Sequence, residues 1–306
     1  MTSMRKIIGE PQADDDVLNK EPKVLLIGYG WVGQYCGKYF TQAHYVETDG
    51  IRRIQHLGDP IGDLLPSWDI SEKYDLAIIS VPTPMNSRTG QCDTSIVEQV
   101  VDKYKDLVNY FLIKSTVEIG TTDRLAKEYK VNIAMSPEYV GETLGHPLLE
   151  ARRDAFQIIG GEAKTAAKIA EYWRTVLHAN APIMLCSAVE AEIIKYCENM
   201  WIMERVDYWN DVANICYRLG GEFTKVREGL VLDPRFSRTH SNVYRDNRGW
   251  SGKCLPKDMN GLAYKMRQAG LPLKTIEHLI EKNATYWRDS YINKERLIPE
   301  EPVWKI

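Results

Sequence analysis

One cysteine in this chain is set among cations. In Ser251-Gly252-Lys253-Cys254-Leu255-Pro256-Lys257-Asp258 the thiol lies between two lysines, just ahead of a predicted helix start. Positive neighbours and a helix N-terminus both favour thiolate, the nucleophilic form. A partly buried bystander thiol fits the same segment equally well. Lys195 and Asn199 are four residues apart, so a helix there presents both on one face. An ammonium beside a carboxamide can hold a developing alkoxide or oxyanion, although such pairs also decorate ordinary solvated helices.

A second cluster, Gly28-Tyr29-Gly30-Trp31-Val32-Gly33, is a G-x-G-x-x-G directly after the apolar run V-L-L-I. The first glycine permits a tight turn, the second lets backbone approach a pyrophosphate, and the third allows close helix–strand packing. Asp49 ends the next strand, about twenty residues on, where an acid binds the ribose hydroxyls of NAD; a plain turn residue before Gly50 is the alternative. Arg52 and Arg53 could hold the 2′-phosphate of NADP, but an acid at the strand end repels it. NAD is the expected cofactor.

Positioning these groups requires a regular frame. Short apolar runs recur at 23–28, 45–48, 76–81, 111–114, 131–135, 156–159 and 183–186, with helical spacing between many of them, as over 94–107 and 122–129. Buried strands alternating with helices predict an α/β fold: a Rossmann-type, doubly wound, mainly parallel sheet. From 188 to 219 a single amphipathic pattern runs without glycine or proline, and helical patterns continue over 225–228, 259–269 and 273–286. The expected organisation is an N-terminal extension over 1–22, an NAD-binding domain over 23–187, and an all-helical dimerisation domain over 188–306 that carries the cysteine loop.

The 306 residues are 44% hydrophobic and 26% charged, with a formal net charge of −3. That balance leaves no electrostatic footprint for nucleic acid or an anionic membrane, and no apolar run approaches membrane-spanning length. The N-terminus lacks the apolar core of a signal peptide. Cys36, Cys92, Cys186, Cys197, Cys216 and Cys254 are scattered without a C-x-x-C pair, so no metal site and no disulfide framework are expected. A cytoplasmic protein with mostly buried thiols, Cys254 excepted, is the expectation.

Together these segments resemble the UDP-glucose/GDP-mannose dehydrogenase family through most of the chain. The likeness extends to Val81-Pro82-Thr83-Pro84 with Gly90 and Asp93, to Lys114-Ser115-Thr116-Val117 with Gly120-Thr121-Thr122, and to Ser136-Pro137-Glu138-Tyr139. It also covers the helix from Ala191 to Asn210-Asp211 and the cysteine loop from Gly249 to Asp258. The resemblance implies oxidation of a sugar C6 alcohol to a carboxylate with two NAD. It implies Cys254 as nucleophile, Lys195 and Asn199 as stabilisers of the thiohemiacetal oxygen, and Asp258, Glu138 and Thr116 as the groups placing the hydrolytic water. On the cofactor side it implies Gly28, Gly30, Trp31, Val32, Gly33, Asp49, Arg53, Val81, Thr83, Ser115, Thr116 and Lys257, with Glu142 near the nicotinamide. Toward the substrate it implies Glu138, Tyr139, Val140, Lys195, Asn199, Tyr244 and Gly249. Arg245 would grip a phosphate, and Arg235 or Arg238 would reach into a neighbouring subunit; a solvated basic loop is the plainer account of these arginines.

Departures accompany the likeness. The family's third domain has no counterpart before Ile306, Ser251 and Lys253 replace small residues, and Phe156-Gln157 stand where the family has arginine and isoleucine. The expected substrate is a small anionic sugar conjugate such as a nucleotide sugar, and the expected assembly a homodimer packed through aromatics such as Trp201, Tyr208 and Trp209. Two rivals remain: a two-electron β-hydroxyacid-type dehydrogenase, which needs no cysteine, and a catalytically silent NAD-binding or assembly protein.

Overall fold

Four- to six-residue apolar runs become buried strands. β1 (Val24–Ile27), β2 (His44–Glu47), β3 (Gly50–Arg53), β4 (Tyr74–Ile79), β5 (Val108–Ile113), β6 (Asn132–Met135), β7 (Gln157–Gly161) and β8 (Ile183–Cys186) form one sheet in the order β3-β2-β1-β4-β5-β6-β7-β8. The computed structural model describes residues 21–47, 50–54, 65, 73–139, 156–244, 247–252 and 254–292. Asp49, Val140, Glu142 and Arg245 of the expected site, Lys253, and residues 1–20 lie outside the described residues.

Pairing is parallel except for β2 with β3 and β6 with β7. β3 has no apolar run to betray it. It is an edge strand hairpinned onto β2, with Glu47 opposite Gly50, and its Ile51 side chain alone is buried. Strand order reverses at β1, which lies between β2 and β4. In open α/β sheets the crevice beyond the strands' carboxyl ends at such a reversal is where ligands bind. Helices α1 (Trp31–Gly37) and α4 (Ala163–Arg174) cover one face, burying Tyr35, Cys36, Ile169 and Trp173; α2 (Ser95–Tyr104) and α3 (Thr121–Tyr129) cover the other through Val97, Val101 and Leu125.

The second half is helical. α5 (Ala188–Leu219) spans 32 residues, about 48 Å at 1.5 Å per residue. It opens with a Ser187–Glu190 capping box and closes on Gly220 at φ 74°, a left-handed conformation that favours glycine. Its start lies hard against β7: a Cβ on Gly160 would come within 2.4 Å of Ser187 O and 2.5 Å of Ala191 Cβ. α6 (Phe223–Leu230), α7 (Leu255–Gln268) and α8 (Lys274–Ile292) follow. Tyr196 and Met203 of α5 share a core with Trp250, Met259, Leu262 and Ile276.

One interface expectation needs correcting. Trp209 is buried within the chain against Phe223, Val212 and Val243, so it is not available to a second subunit. Trp201 (59%) and Tyr208 (43%) do remain exposed on α5.

Candidate active site

The glycine turn forms a cradle at the end of β1. Gly28 has φ +92°, and a Cβ there would sit 2.5 Å from Ser80 O. The Ser80 hydroxyl at the end of β4 donates to Gly28 O at 2.7 Å and fixes the turn. A Cβ on Gly33 would lie 2.0 Å from Gly28 O, so α1 and β1 can meet this closely only through glycine. A Cβ on Gly30 would meet nothing within 4 Å, so this backbone is open to a ligand. The N-terminus of α1 has no side-chain cap and no acid in its first turn, leaving its positive end facing the crevice. These features fit a dinucleotide pyrophosphate. Trp31 is half-exposed at the same end, whereas Arg53 lies exposed on the edge strand β3.

The neighbouring wall is built by hydroxyls that bind backbone across strand ends. Thr83 Oγ1 donates to Thr116 O and Ser115 Oγ donates to Val81 O, each at 2.7 Å. Val81, Thr83, Ser115 and Thr116 therefore converge beyond the ends of β4 and β5.

Lys195, Asn199 and Asp258 meet where α5 packs on α7, whose N-cap is Cys254. Cys254 is exposed and occupies the N-cap of α7, with Pro256 in the first turn, where its fixed φ suits helix initiation. One turn on, the buried Asp258 accepts from Asn199 Nδ2 at 2.5 Å and pairs with Lys257. Lys195 Nζ donates to Asn199 Oδ1 at 3.4 Å and to Glu198 at 2.9 Å, and stands 5.4 Å over the Tyr139 ring. Glu138 closes the chain: its Oε1 accepts from Tyr139 N at 2.8 Å, and its Oε2 lies 3.5 Å from Lys114 Nζ. A chain of hydrogen bonds and ion pairs, with one cation–π step at the Tyr139 ring, thus runs from the cysteine helix to the sheet. Burial, with Glu198 and Glu138 nearby, pushes the Tyr139 hydroxyl well above its ordinary value, so it stays protonated.

Other thiols are poorer candidates. Burial pushes Cys36 up to about 12 and raises Cys92, against the pull of Lys257. Cys197, expected to be buried, is exposed on α5. The cysteine loop is held from behind: Asn283 accepts from Trp250 N and donates to Trp250 O, both at 2.9 Å. Gly249 (φ +76°) leaves no room there, since a Cβ would fall 2.2 Å from Asn283 Oδ1.

The basic loop stands apart from this path in its contacts. Arg235 pairs with Asp233 and Arg238 with Glu228, all at the surface. Arg248 packs on α5, donating to Asn210 Oδ1 at 2.6 Å and Asn214 Oδ1 at 2.7 Å, and Tyr244 is half-exposed. The structure gives no contact between Arg235, Arg238 or Tyr244 and the Lys195–Asn199–Asp258 group. Two buried charges that pattern reading missed do bear on the site. Glu192, one turn before Lys195, accepts from Gly120 N, Thr122 N and Thr122 Oγ1 at 2.5, 2.9 and 2.7 Å. Lys114, one residue beyond β5, sits below Glu138. A charge interrupting an otherwise apolar pattern was the only signal of either.

Comparison with known proteins agrees with this architecture. Residues 64–176 match the NAD binding domain of the UDP-glucose/GDP-mannose dehydrogenase family, and residues 189–285 match its central domain. A UDP-glucose 6-dehydrogenase of Bacillus subtilis is 29% identical over 300 residues, covering 85% of this chain and 62% of the relative. One from Campylobacter jejuni is 25% identical over 288 residues, covering 85% and 72%. The chain thus spans under two thirds of the Bacillus relative's length. A UDP-glucose dehydrogenase structure from Pyrobaculum islandicum shares the fold at TM-score 0.70 and 21% identity, covering 88% of this chain and 69% of that one. A GDP-mannose dehydrogenase from Pseudomonas aeruginosa does so at 0.56 and 20%, covering 89% and 71%. With a glycine cradle shaped for a dinucleotide and two successive domains matched, the chain belongs to the UDP-glucose/GDP-mannose dehydrogenase family, and its cofactor is NAD.

Proposed function

We propose that this protein oxidises the primary alcohol of a nucleotide sugar to a carboxylate, with Cys254 as the nucleophile of the second stage. The observation that supports this best is the hydrogen bond from Asn199 to Asp258, one turn beyond Cys254, with Lys195 bonded to Asn199. It joins an oxyanion-holding pair to the helix that begins at the thiol.

Bound NAD supplies the hydride acceptor for each two-electron oxidation. Once the alcohol has become an aldehyde, the Cys254 thiolate attacks its carbonyl carbon. A sulfur–carbon bond forms and the oxygen gains negative charge. Lys195, as a cation, and Asn199, through its amide N–H, stabilise that oxygen. Asp258 orients the amide by accepting from it and balances Lys257. After the second oxidation, water attacks the thioester, with Glu138 taking its proton, and the thiolate leaves. The wall formed by Thr83, Ser115 and Thr116 limits where that water can stand. Two copies of the chain associating through Trp201 and Tyr208 complete the proposal as a homodimer.

The test is a screen of UDP- and GDP-sugars for NADH release, with product mass counting the electrons removed. Carboxylate from wild type and an arrested intermediate in Cys254→Ser are expected, because a serine hydroxyl is far less ionised than a thiol. Full steady-state turnover to carboxylate by Cys254→Ser would refute the covalent mechanism. Turnover that stops at the aldehyde in wild type would favour the two-electron alternative.

A further inference from the structure

Lys114 presents a chemical puzzle, because its side chain is only 2% exposed. An ammonium is not buried without partners. Its nitrogen donates to Ser136 Oγ and to Gln157 Oε1, both at 2.9 Å, and stands 5.3 Å from the Trp173 ring centroid. An ammonium has three donors, and the remaining neighbour is Glu138 Oε2 at 3.5 Å. The other oxygen of Glu138 accepts from Tyr139 N. The carboxylate is therefore fixed at both ends, and the same peptide segment sets the Tyr139 ring beneath Lys195.

Sheet cohesion alone does not explain this arrangement. An apolar residue ending the run V-N-Y-F-L-I would pack there without needing acceptors from two neighbouring strands. Gln157 and Phe156, neighbours at the start of β7, both touch the apparatus: Gln157 seats Lys114, and Phe156 lies 4.9 Å from Tyr139 ring to ring.

We propose that Lys114 is a positioning residue, a buried cation seated by Ser136, Gln157 and Trp173 that holds the Glu138 carboxylate where it takes the proton of the hydrolytic water. The proposal rests on the covalent reading above. In the step concerned, water oxygen bonds to the acyl carbon, the carbon–sulfur bond breaks, Cys254 leaves as thiolate, and one water proton passes to Glu138.

The experiment uses UDP-glucose and NAD with wild type, Glu138→Gln, Lys114→Met, and Lys114→Met with Gln157→Leu. The double variant replaces the Lys114–Gln157 hydrogen bond by an apolar pair, so it leaves no orphaned Gln157 amide where the single variant does, and calorimetry verifies its fold. The expected result is acyl-enzyme at Cys254 seen by intact-protein mass, product release slowed about a hundredfold as for a misplaced catalytic group, and KM within about twofold of wild type. Unchanged product release in the folded double variant, with hydrolysis stalled in Glu138→Gln, overturns the role of Lys114. Should wild type leave UDP-glucose untouched, the functional reading fails for that sugar, and a crystal structure of the double variant then decides. A Glu138 carboxylate displaced from its wild-type seat supports the positioning role, and one that keeps its seat overturns it.

Discussion

Glu192→Ala asks whether the helix bearing Lys195 is pinned to the sheet by one buried carboxylate. Glu192 caps α3 from a neighbouring helix, because the α3 N-cap is Gly120 and offers no side chain. Its loss leaves the Thr122 N–H and hydroxyl unsatisfied where Thr122 is 1% exposed. An orphaned buried donor costs about 1–3 kcal/mol, and a lost cap about 1 kcal/mol. Against this stands the desolvation of the carboxylate itself. Burial raises the Glu192 carboxyl, and the hydrogen bonds from Gly120 and Thr122 offset that only in part. A net loss of about 2–3 kcal/mol remains, which at roughly 2–4 °C per kcal/mol lowers Tm by about 5–10 °C. Calorimetry reads the stability, and NADH release reads the displacement of Lys195, so kcat should fall in the variant at temperatures where it is fully folded. Glu192→Gln keeps one acceptor of two and should fall between the others. A Tm change below about 2 °C with kcat unchanged would refute the pin.

Asn283→Leu should destabilise by about 2–5 kcal/mol, because it leaves the buried N–H and C=O of Trp250 unpaired; an unaltered denaturant midpoint would show that the cysteine loop is held otherwise. Gly30→Ala should leave Tm unchanged while weakening NAD about tenfold or more, since its Cβ fills space that only a bound pyrophosphate needs; calorimetric titration showing wild-type affinity would count against the cradle. Hydrogen bonds from the Ser187 backbone and hydroxyl hold the Glu190 carboxyl below its usual range. A folded value below the unfolded one contributes stability above the unfolded carboxyl range, lost as pH falls through the folded value. The Tm gap between wild type and Glu190→Gln should therefore be open at neutral pH and close as pH falls below the ordinary carboxyl range; a gap independent of pH would exclude the capping box as its source.

What was legible in the sequence was what backbone geometry or helix periodicity imposes. Gly28, Gly30 and Gly33 are readable because a side chain at the first or third position collides with backbone and one at the second would block a ligand. Lys195 and Asn199 are readable because four residues return to one face of a helix, and the setting of Cys254 because two lysines flank it just ahead of a helix start. What was not legible depends on distant partners. Glu192 meets Thr122 from 70 residues away and Lys114 meets Gln157 from 43 residues away, so a charge breaking an apolar pattern is visible locally but its partners are not. The arginine loop shows local pairing within one chain. Arg235 pairs with Asp233 two residues back and Arg238 with Glu228 ten back, while the reach toward a second subunit expected of them is a property of an assembly. Trp209 misled because amphipathic spacing shows which face is apolar and not which neighbour covers it.

These long-range partners share a direction. Glu192 reaches from α5 to the start of α3; Glu118, in the segment between β5 and α3, accepts from Lys265 of α7 at 3.1 Å; Gly90 leaves room for Asn260 of α7, whose Cβ would lie 3.2 Å from an added one. Each link joins the sheet half to the helical half, and each lies within a few residues of a group assigned to the chemistry. The site is thus a seam whose two sides are not independently satisfied. Separated from the sheet, the helical half would expose a bare Glu192 and lose the Tyr139 ring under Lys195; separated from the helices, α3 would lose its cap. Catalytic geometry and fold stability are therefore coupled through the same few charges. Variants that loosen the seam should lose activity before they unfold, whereas those that spare it, such as Gly30→Ala, should separate the two.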